Sequence, residues 1–325
     1  MKVLIVATRS GGMSGTGQHV AGLSKFLLKR GFEVELATAD STFHLEVPGL
    51  KTISFDVAVS LLHMGRRYDV VHAHNVPQSL VFKFVSGKKV LTLHGFFGEQ
   101  EKILRGSFVG KAAEAFQRKA INWADSVTAV SQSVAQEARG LRPDVLFIPN
   151  AVDPEDLPPL AEKRRGVVYS GRLSREKGVD VLPEIARRLP DVRFRIIGDG
   201  PLFQKLKAES PPNLELLGSL SRSQALEIVA SSEVFLLPSR SEGLSTALIE
   251  AMMMGVPAVA TKVGGNVELL GEGRGCLADN EVDSLVSCLE RALRGEVDPR
   301  PAQSYALKNY GWERVVDLYI SVYRA

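Results

Sequence analysis

No stretch of this chain approaches the roughly 20 consecutive apolar residues that a membrane-spanning helix needs, so an integral membrane protein is not expected. The opening run Lys2–Thr8 is too short for a secretory signal and reads as a first buried strand. Cysteine is scarce. Cys276 and Cys288 have no metal-ligand spacing and no histidine near them in sequence, and a reducing compartment, cytoplasmic, is the expectation. Strong charge is missing too: a net +3 gives no reason to expect a nucleic-acid partner. Two phosphate-binding fingerprints are absent. Gly15-x-Gly17 is followed by Val20, which breaks the dinucleotide pattern G-x-G-x-x-G, and no P-loop occurs anywhere.

What remains is an ordinary globular composition, 45% hydrophobic and 24% charged, in 325 residues, a length that suits two domains better than one. The halves differ in charge. Residues 1–155 carry 18 Lys and Arg against 14 Asp and Glu; residues 156–325 carry 22 against 23, and all six histidines fall in the first half. Strand-like and helix-like runs alternate throughout. The first half predicts strands at Lys2–Thr8, Glu33–Ala39, Lys51–Asp56, Asp69–Ala73, Lys88–Leu93, Ser126–Val130 and Val145–Pro149. Helices are expected from Gln18 to Arg30 and at Ala58–Arg67, Val76–Phe84, Glu99–Trp123 and Ser131–Arg139. Pro154–Arg165, rich in proline and charge, reads as a linker, and the β/α pattern then restarts from Gly166. The expected fold is α/β: two doubly wound Rossmann-like domains, residues 1–160 and 161–310, facing across a cleft. The closing stretch 311–325 is amphipathic, with Trp312, Leu318 and Tyr323 as anchors.

The most informative stretch is Ser239–Gly255. The apolar run Val234–Leu237 predicts a buried parallel strand, Ser245 is an N-cap, Thr246–Met254 a helix, and Gly255 its stop. Free amides at a helix start beyond a strand's carboxyl end suit a phosphate. Glu242 and Glu250 flank that helix start; the plain alternative makes one a dipole partner and the other a solvated residue. Ser170-Gly171-Arg172-Leu-Ser-Arg-Glu-Lys177-Gly178 is a second such stretch, where an Arg and a Lys five apart can grip a diphosphate. Near the N-terminus, Gly11–Gly17 joins a strand to a helix, as a phosphate cradle or simply as a tight turn. His72-Ala-His74 puts two rings on one strand face, but no third ligand is evident in the sequence, so a hydrogen-bonding role is preferred to a metal. His94 closes the strand before Gly95.

Taken together, Glu242-Gly-Leu-Ser-Thr-Ala-Leu-Ile-Glu250 resembles the Glu-x7-Glu signature of retaining glycosyltransferases of family 4, which have the GT-B fold. Ile148–Asp153 and Lys262–Glu268 match the same family. The resemblance implies that Arg172 and Lys177 bind the donor diphosphate, that His94 contacts the donor sugar, and that Glu242 positions sugar hydroxyls and Glu250 the ribose. It also implies donor contacts from Gly15, Gly17, Gly171, Gly198, Leu220, Gly243, Leu244, Ser245 and Thr246, with Gly12, His74 and Asn75 on the acceptor side and the terminal helix returning to the first domain. No Asp-x-Asp, the usual metal-holding pair of many glycosyltransferases, occurs. The expected reaction is therefore metal-independent transfer of a sugar from a nucleoside diphosphate sugar to a hydroxyl, with no cofactor. A sugar-nucleotide 2-epimerase and a non-catalytic sugar-nucleotide sensor are the rival readings. Lys102, Arg105, Lys111, Arg118 and Lys119 read as a solvated face, or as a basic patch for peripheral contact with an anionic acceptor or membrane surface.

Overall fold

The computed structural model describes residues 1–11, 15–45, 51–95 and 107–325. The chain divides into two compact units. The first comprises residues 1–12, 16–150 and 312–325; the second comprises 13–15 and 151–311. No helix among the described residues is long and apolar enough to cross a membrane.

The N-terminal unit is built on six parallel strands: β1 (Lys2–Val6), β2 (Glu33–Ala37), β3 (Arg67–His74), β4 (Ser86–Leu93), β5 (Ser126–Ala129) and β6 (Leu146–Phe147). Their order is β2-β1-β3-β4-β5-β6. Val3 to Val6 are fully buried, as a strand covered on both faces requires. Among the described residues the unit's helices include α1 (Gly15–Lys29), α2 (Lys51–His63), α3 (Ser107–Trp123) and α4 (Gln132–Arg139). Pro77–Lys83 forms a 3-10 helix. The chain order reverses between β1 and β3, so the loops after these strands open at a switch point where doubly wound sheets bind ligands.

The expected strand over Lys51–Asp56 is instead the start of α2. Ile53, Phe55, Val57 and Val59 alternate and so mimic a strand. The residues actually buried are Phe55, Asp56, Val59, Ser60 and His63, a helical spacing hidden by its polar members. The helix expected over 99–123 is described from Ser107 only. Its earlier part lies outside the described residues, and so do Lys102, Arg105 and Gly12.

The second unit repeats the layout with β7 (Val167–Ser170), β8 (Phe194–Ile197), β9 (Leu214–Gly218), β10 (Val234–Leu237), β11 (Ala258–Thr261) and β12 (Cys276–Ala278), in the order β12-β11-β10-β7-β8-β9. Its helices are α5 (Leu182–Arg188), α6 (Phe203–Glu209), α7 (Arg222–Ala230), α8 (Thr246–Met254), α9 (Gly265–Leu270), α10 (Val282–Leu293) and α11 (Arg300–Asn309). The reversal here falls between β7 and β10. The Pro-rich stretch read as a linker lies in this unit: the Ala161 and Arg165 amides donate to the Ala230 and Ser231 carbonyls. Cys276 and Cys288, whose scarcity leads to the expectation of a reducing compartment, are joined in a disulfide between β12 and α10, their Cα atoms 5.7 Å apart. Helix α10 folds back along the strand that precedes it, which brings the distant pair within bonding reach.

The last helix, α12 (Trp312–Arg324), packs on the N-terminal unit. A Cβ at Gly22 would come within 2.2 Å of the Trp312 indole, so glycine is required for that contact. The Tyr323 hydroxyl hydrogen-bonds His72 Nδ1 (2.7 Å), and Lys88 Nζ donates to the Val322 carbonyl (2.7 Å). Leu318, expected as an anchor, is 37% exposed; Val315, Val316 and Tyr319 fill the buried face instead.

Candidate functional site

In the C-terminal unit, the loops after β7 and β10 meet because those two strands are neighbours at the switch point. Lys177 Nζ donates to both Glu242 carboxylate oxygens, at 2.8 and 2.7 Å. Ser239 Oγ donates to the same carboxylate at 3.0 Å. The Glu242 side chain is only 8% exposed, so this is a charge-assisted pair in a largely dry setting. The family resemblance assigns Lys177 and Glu242 to different parts of a donor; the structure joins them directly.

Close backbone approaches fix the two loops. Gly178, at φ +64°, leaves no room for a Cβ beside the Pro238 carbonyl, and Gly198 leaves none beside the Gly171 carbonyl. Gly264 and Gly265 press against the backbone of Glu242 and Gly243, and the Gly265 amide donates to the Gly243 carbonyl at 2.9 Å. These glycines are where a side chain would force the loops apart. Arg172 is exposed, and its guanidinium makes no hydrogen bond among the described residues. The Gly171 backbone lies under Tyr169, whose hydroxyl donates to the Arg172 carbonyl at 2.8 Å.

Helix α8 begins as its sequence predicts. Ser245 is the N-cap and its Oγ accepts from the Leu248 amide; Gly255 ends the helix at φ +77°. Leu244 is buried, and Thr246 Oγ1 is buried without a hydrogen-bond partner among the described residues. Glu250 is buried rather than solvated. It accepts from Arg222 Nη2 at 2.8 Å, and Arg222 also reaches Asp156 at 3.4 Å. Burial raises the Glu250 pKa, and the adjacent guanidinium opposes that rise. Leu220 is half-buried just before Ser221, the N-cap of α7. No sequence signal singled out Arg222; its position at the first turn of a helix gives no hint of a partner 28 residues away.

In the N-terminal unit, the loop after β1 and the ends of β3 and β4 converge. The Gly11 amide donates to the Gly17 carbonyl at 2.7 Å, which ties the chain after β1 to the first turn of α1, where Gly15 and Gly17 sit. His74 Nδ1 and His94 Nε2 are 3.1 Å apart. Asn75 adopts a left-handed backbone (φ +74°), and its Oδ1 accepts from the His94 amide at 3.3 Å. His72 stacks on His74 but belongs to the core: its nitrogens are taken by Tyr323 (2.7 Å) and Thr92 (2.7 Å). Burial depresses all these imidazoles, His72 and His94 to about 3, so they are neutral at physiological pH.

His19 was not anticipated. It lies on the buried face of α1, 5.4 Å from the His74 ring and 5.1 Å from the His94 ring. The available signal was a polar residue four before Leu23 on an otherwise apolar helix face. The absence of a third ligand near His74 is a property of the sequence order only. Lys111, Arg118 and Lys119 are exposed on α3, interrupted by exposed Glu114.

Comparison with known proteins agrees with both halves of the chain. Residues 155–310 match the family described as "Glycosyl transferases group 1", and residues 13–156 match "Glycosyltransferase Family 4". A phosphatidylinositol N-acetylglucosaminyltransferase component from Arabidopsis thaliana is 27% identical over 97% of this chain and 72% of its own length. An uncharacterised glycosyltransferase of Methanocaldococcus jannaschii is 28% identical over 97% of this chain and 96% of its own. Among solved structures, Anabaena HepE in complex with UDP-glucose superimposes with a TM-score of 0.79 at 17% identity, over 99% of each chain. That last likeness establishes the two-domain GT-B architecture.

Proposed function

Because the chain belongs to the group 1 glycosyltransferases and resembles those of family 4, we propose that it moves a sugar from a nucleoside diphosphate sugar to an acceptor hydroxyl, with retention and without a metal on the leaving diphosphate. The observation that carries the reading is the Lys177–Glu242 pair, which joins the loop that bears Arg172 to the loop that leads into α8 at one switch point.

The chemistry follows from charge. As the sugar–phosphate bond breaks with oxocarbenium character, the diphosphate gains negative charge. Arg172, Lys177 and the positive end of the α8 dipole stabilise it as it leaves. Glu242 holds the Lys177 ammonium in place, so the cation is positioned before the donor arrives, and its carboxylate is next to where sugar hydroxyls would bind. Glu250, fixed by Arg222, serves the ribose. His94, kept neutral by burial, is a hydrogen-bonding contact for the sugar and not a charged one. The acceptor attacks from the leaving-group face, and a phosphate oxygen takes its proton.

The Anabaena neighbour holds UDP-glucose, which makes a UDP-sugar the first donor to try. The Arabidopsis relative is named for phosphatidylinositol and as one component of a larger enzyme, which favours a lipid-borne hydroxyl and further protein partners here. A thermal-shift panel of UDP-, GDP- and ADP-sugars, followed by turnover with the stabilising donor, tests the reading. Arg172→Ala is expected to lower kcat about 10²–10³-fold by removing a leaving-group donor; near-normal turnover contradicts it. EDTA is expected to leave turnover intact, and loss restored by Mg²⁺ removes the metal-free part. Epimerised free sugar nucleotide formed without acceptor selects the 2-epimerase instead.

A further inference from the structure

Three of the six histidines meet in space although they come from three separate elements of the N-terminal unit. One ring nitrogen from each of His19, His74 and His94 lies within 4.8 Å of the other two. The rings form a nearly equilateral triangle, with centroids 5.4, 5.1 and 5.4 Å apart. Two of the facing nitrogens, His74 Nδ1 and His94 Nε2, meet each other; the other, His19 Nδ1, has no geometric hydrogen-bond partner among the described residues, with the Asn150 side chain beside the same ring. Buried polar atoms are rarely left so, and each needs an explanation.

One surrounding contact suits a lone pair facing inward on His19. His19 Nε2 is 3.1 Å from the Tyr319 hydroxyl. With its proton there, His19 keeps an unprotonated Nδ1, the arrangement by which an outer partner orients a metal-binding imidazole. Burial holds all three rings neutral, the form that ligates. His72 is excluded because both its nitrogens are occupied.

The geometry points to a transition-metal site in the N-terminal unit, with Zn²⁺ held by one nitrogen each of His19, His74 and His94. Neutral imidazoles suit zinc, whereas magnesium and calcium prefer oxygen. Tetrahedral nitrogen ligands on zinc sit roughly 3.3 Å apart. His74 Nδ1 and His94 Nε2, 3.1 Å apart with one proton shared between them, are already near that spacing; binding releases that proton to His74 Nε2 or to solvent, and an inward shift of His19 completes the set. His94 is partly exposed, which gives the ion an entrance and leaves a fourth position for water. The ion is distinct from any metal on the donor diphosphate. Its consequence for turnover rests on the role proposed for His94: zinc and sugar would compete for that ring, so Zn²⁺ inhibits.

The test reads binding without donor or acceptor, so it stands or falls independently of the transferase reading. The metal-stripped full chain is titrated with Zn²⁺ against a chromophoric chelator, and with Co²⁺ followed by its visible absorption. One equivalent per chain is expected, with the intense Co²⁺ bands of a four- or five-coordinate site. Affinity should fall at least tenfold in His19→Gln and His94→Ala, fall several-fold in Tyr319→Phe, and stay unchanged in His44→Gln. His94 is at the edge of the core, so its variant is expected to fold, which circular dichroism checks. Wild-type affinity in folded His94→Ala, or the pale spectrum of six-coordinate Co²⁺, overturns the site.

Discussion

Asp56→Asn should stabilise the N-terminal unit, and by an amount that depends on pH in a definite way. Asp56 is 4% exposed, between Phe55 and Val59 of the core, and its side-chain partner among the described residues is the Gln78 amide, 3.3 Å from Oδ1. Burial pushes its carboxyl up to about 7 from an ordinary 3.8, and the Gln78 hydrogen bond only partly opposes this. The unfolded chain releases this proton near 3.8, while the folded chain keeps it to about 7. Between those values the folded state binds more protons, so stability falls as pH rises and levels off above 7. A shift of about three units at about 1.4 kcal/mol each amounts to about 4 kcal/mol lost by pH 8. Asparagine keeps the Oδ1 acceptor and removes the charge. The variant should match the wild type near pH 3.5 and exceed it by up to about 4 kcal/mol at pH 8, roughly 8–16 °C in Tm for a unit of this size. Both tryptophans, Trp123 and Trp312, lie in this unit. Urea melts followed by tryptophan fluorescence from pH 3.5 to 8 therefore report on it. Parallel pH profiles for wild type and variant would refute the reasoning.

Three further outcomes are expected. Arg222→Ala leaves the Glu250 carboxylate buried without its partner and should cost about 3 kcal/mol; adding Glu250→Gln should restore part of it, and chemical denaturation measures both. Gly22→Ala drives a Cβ into Trp312, so α12 should loosen, seen as a red-shifted tryptophan emission and faster proteolysis of the C-terminus. Cys276→Ser should lower the stability of the C-terminal unit by about 3 kcal/mol, since the bond closes a loop of 12 residues; two titratable thiols in the unreduced, denatured wild type would show that the bond does not form.

The sequence by itself determined the elements whose signals are local. Val234–Leu237, Ser245 and Gly255 carry a buried strand, an N-cap and a left-handed stop within a few residues, and the structure reproduces each. Local reading failed at Lys51–His63, where polar Asp56 and Ser60 occupy the buried face and disguise a helix as a strand. Only the tertiary structure decided the pairings. Sheet order makes β7 and β10 neighbours, and thus joins Lys177 to Glu242 across 65 residues. The same kind of reversal, between β1 and β3, gathers His19 with His74 and His94. Such contacts depend on which strands lie side by side, a property of the whole sheet that no window of sequence encodes.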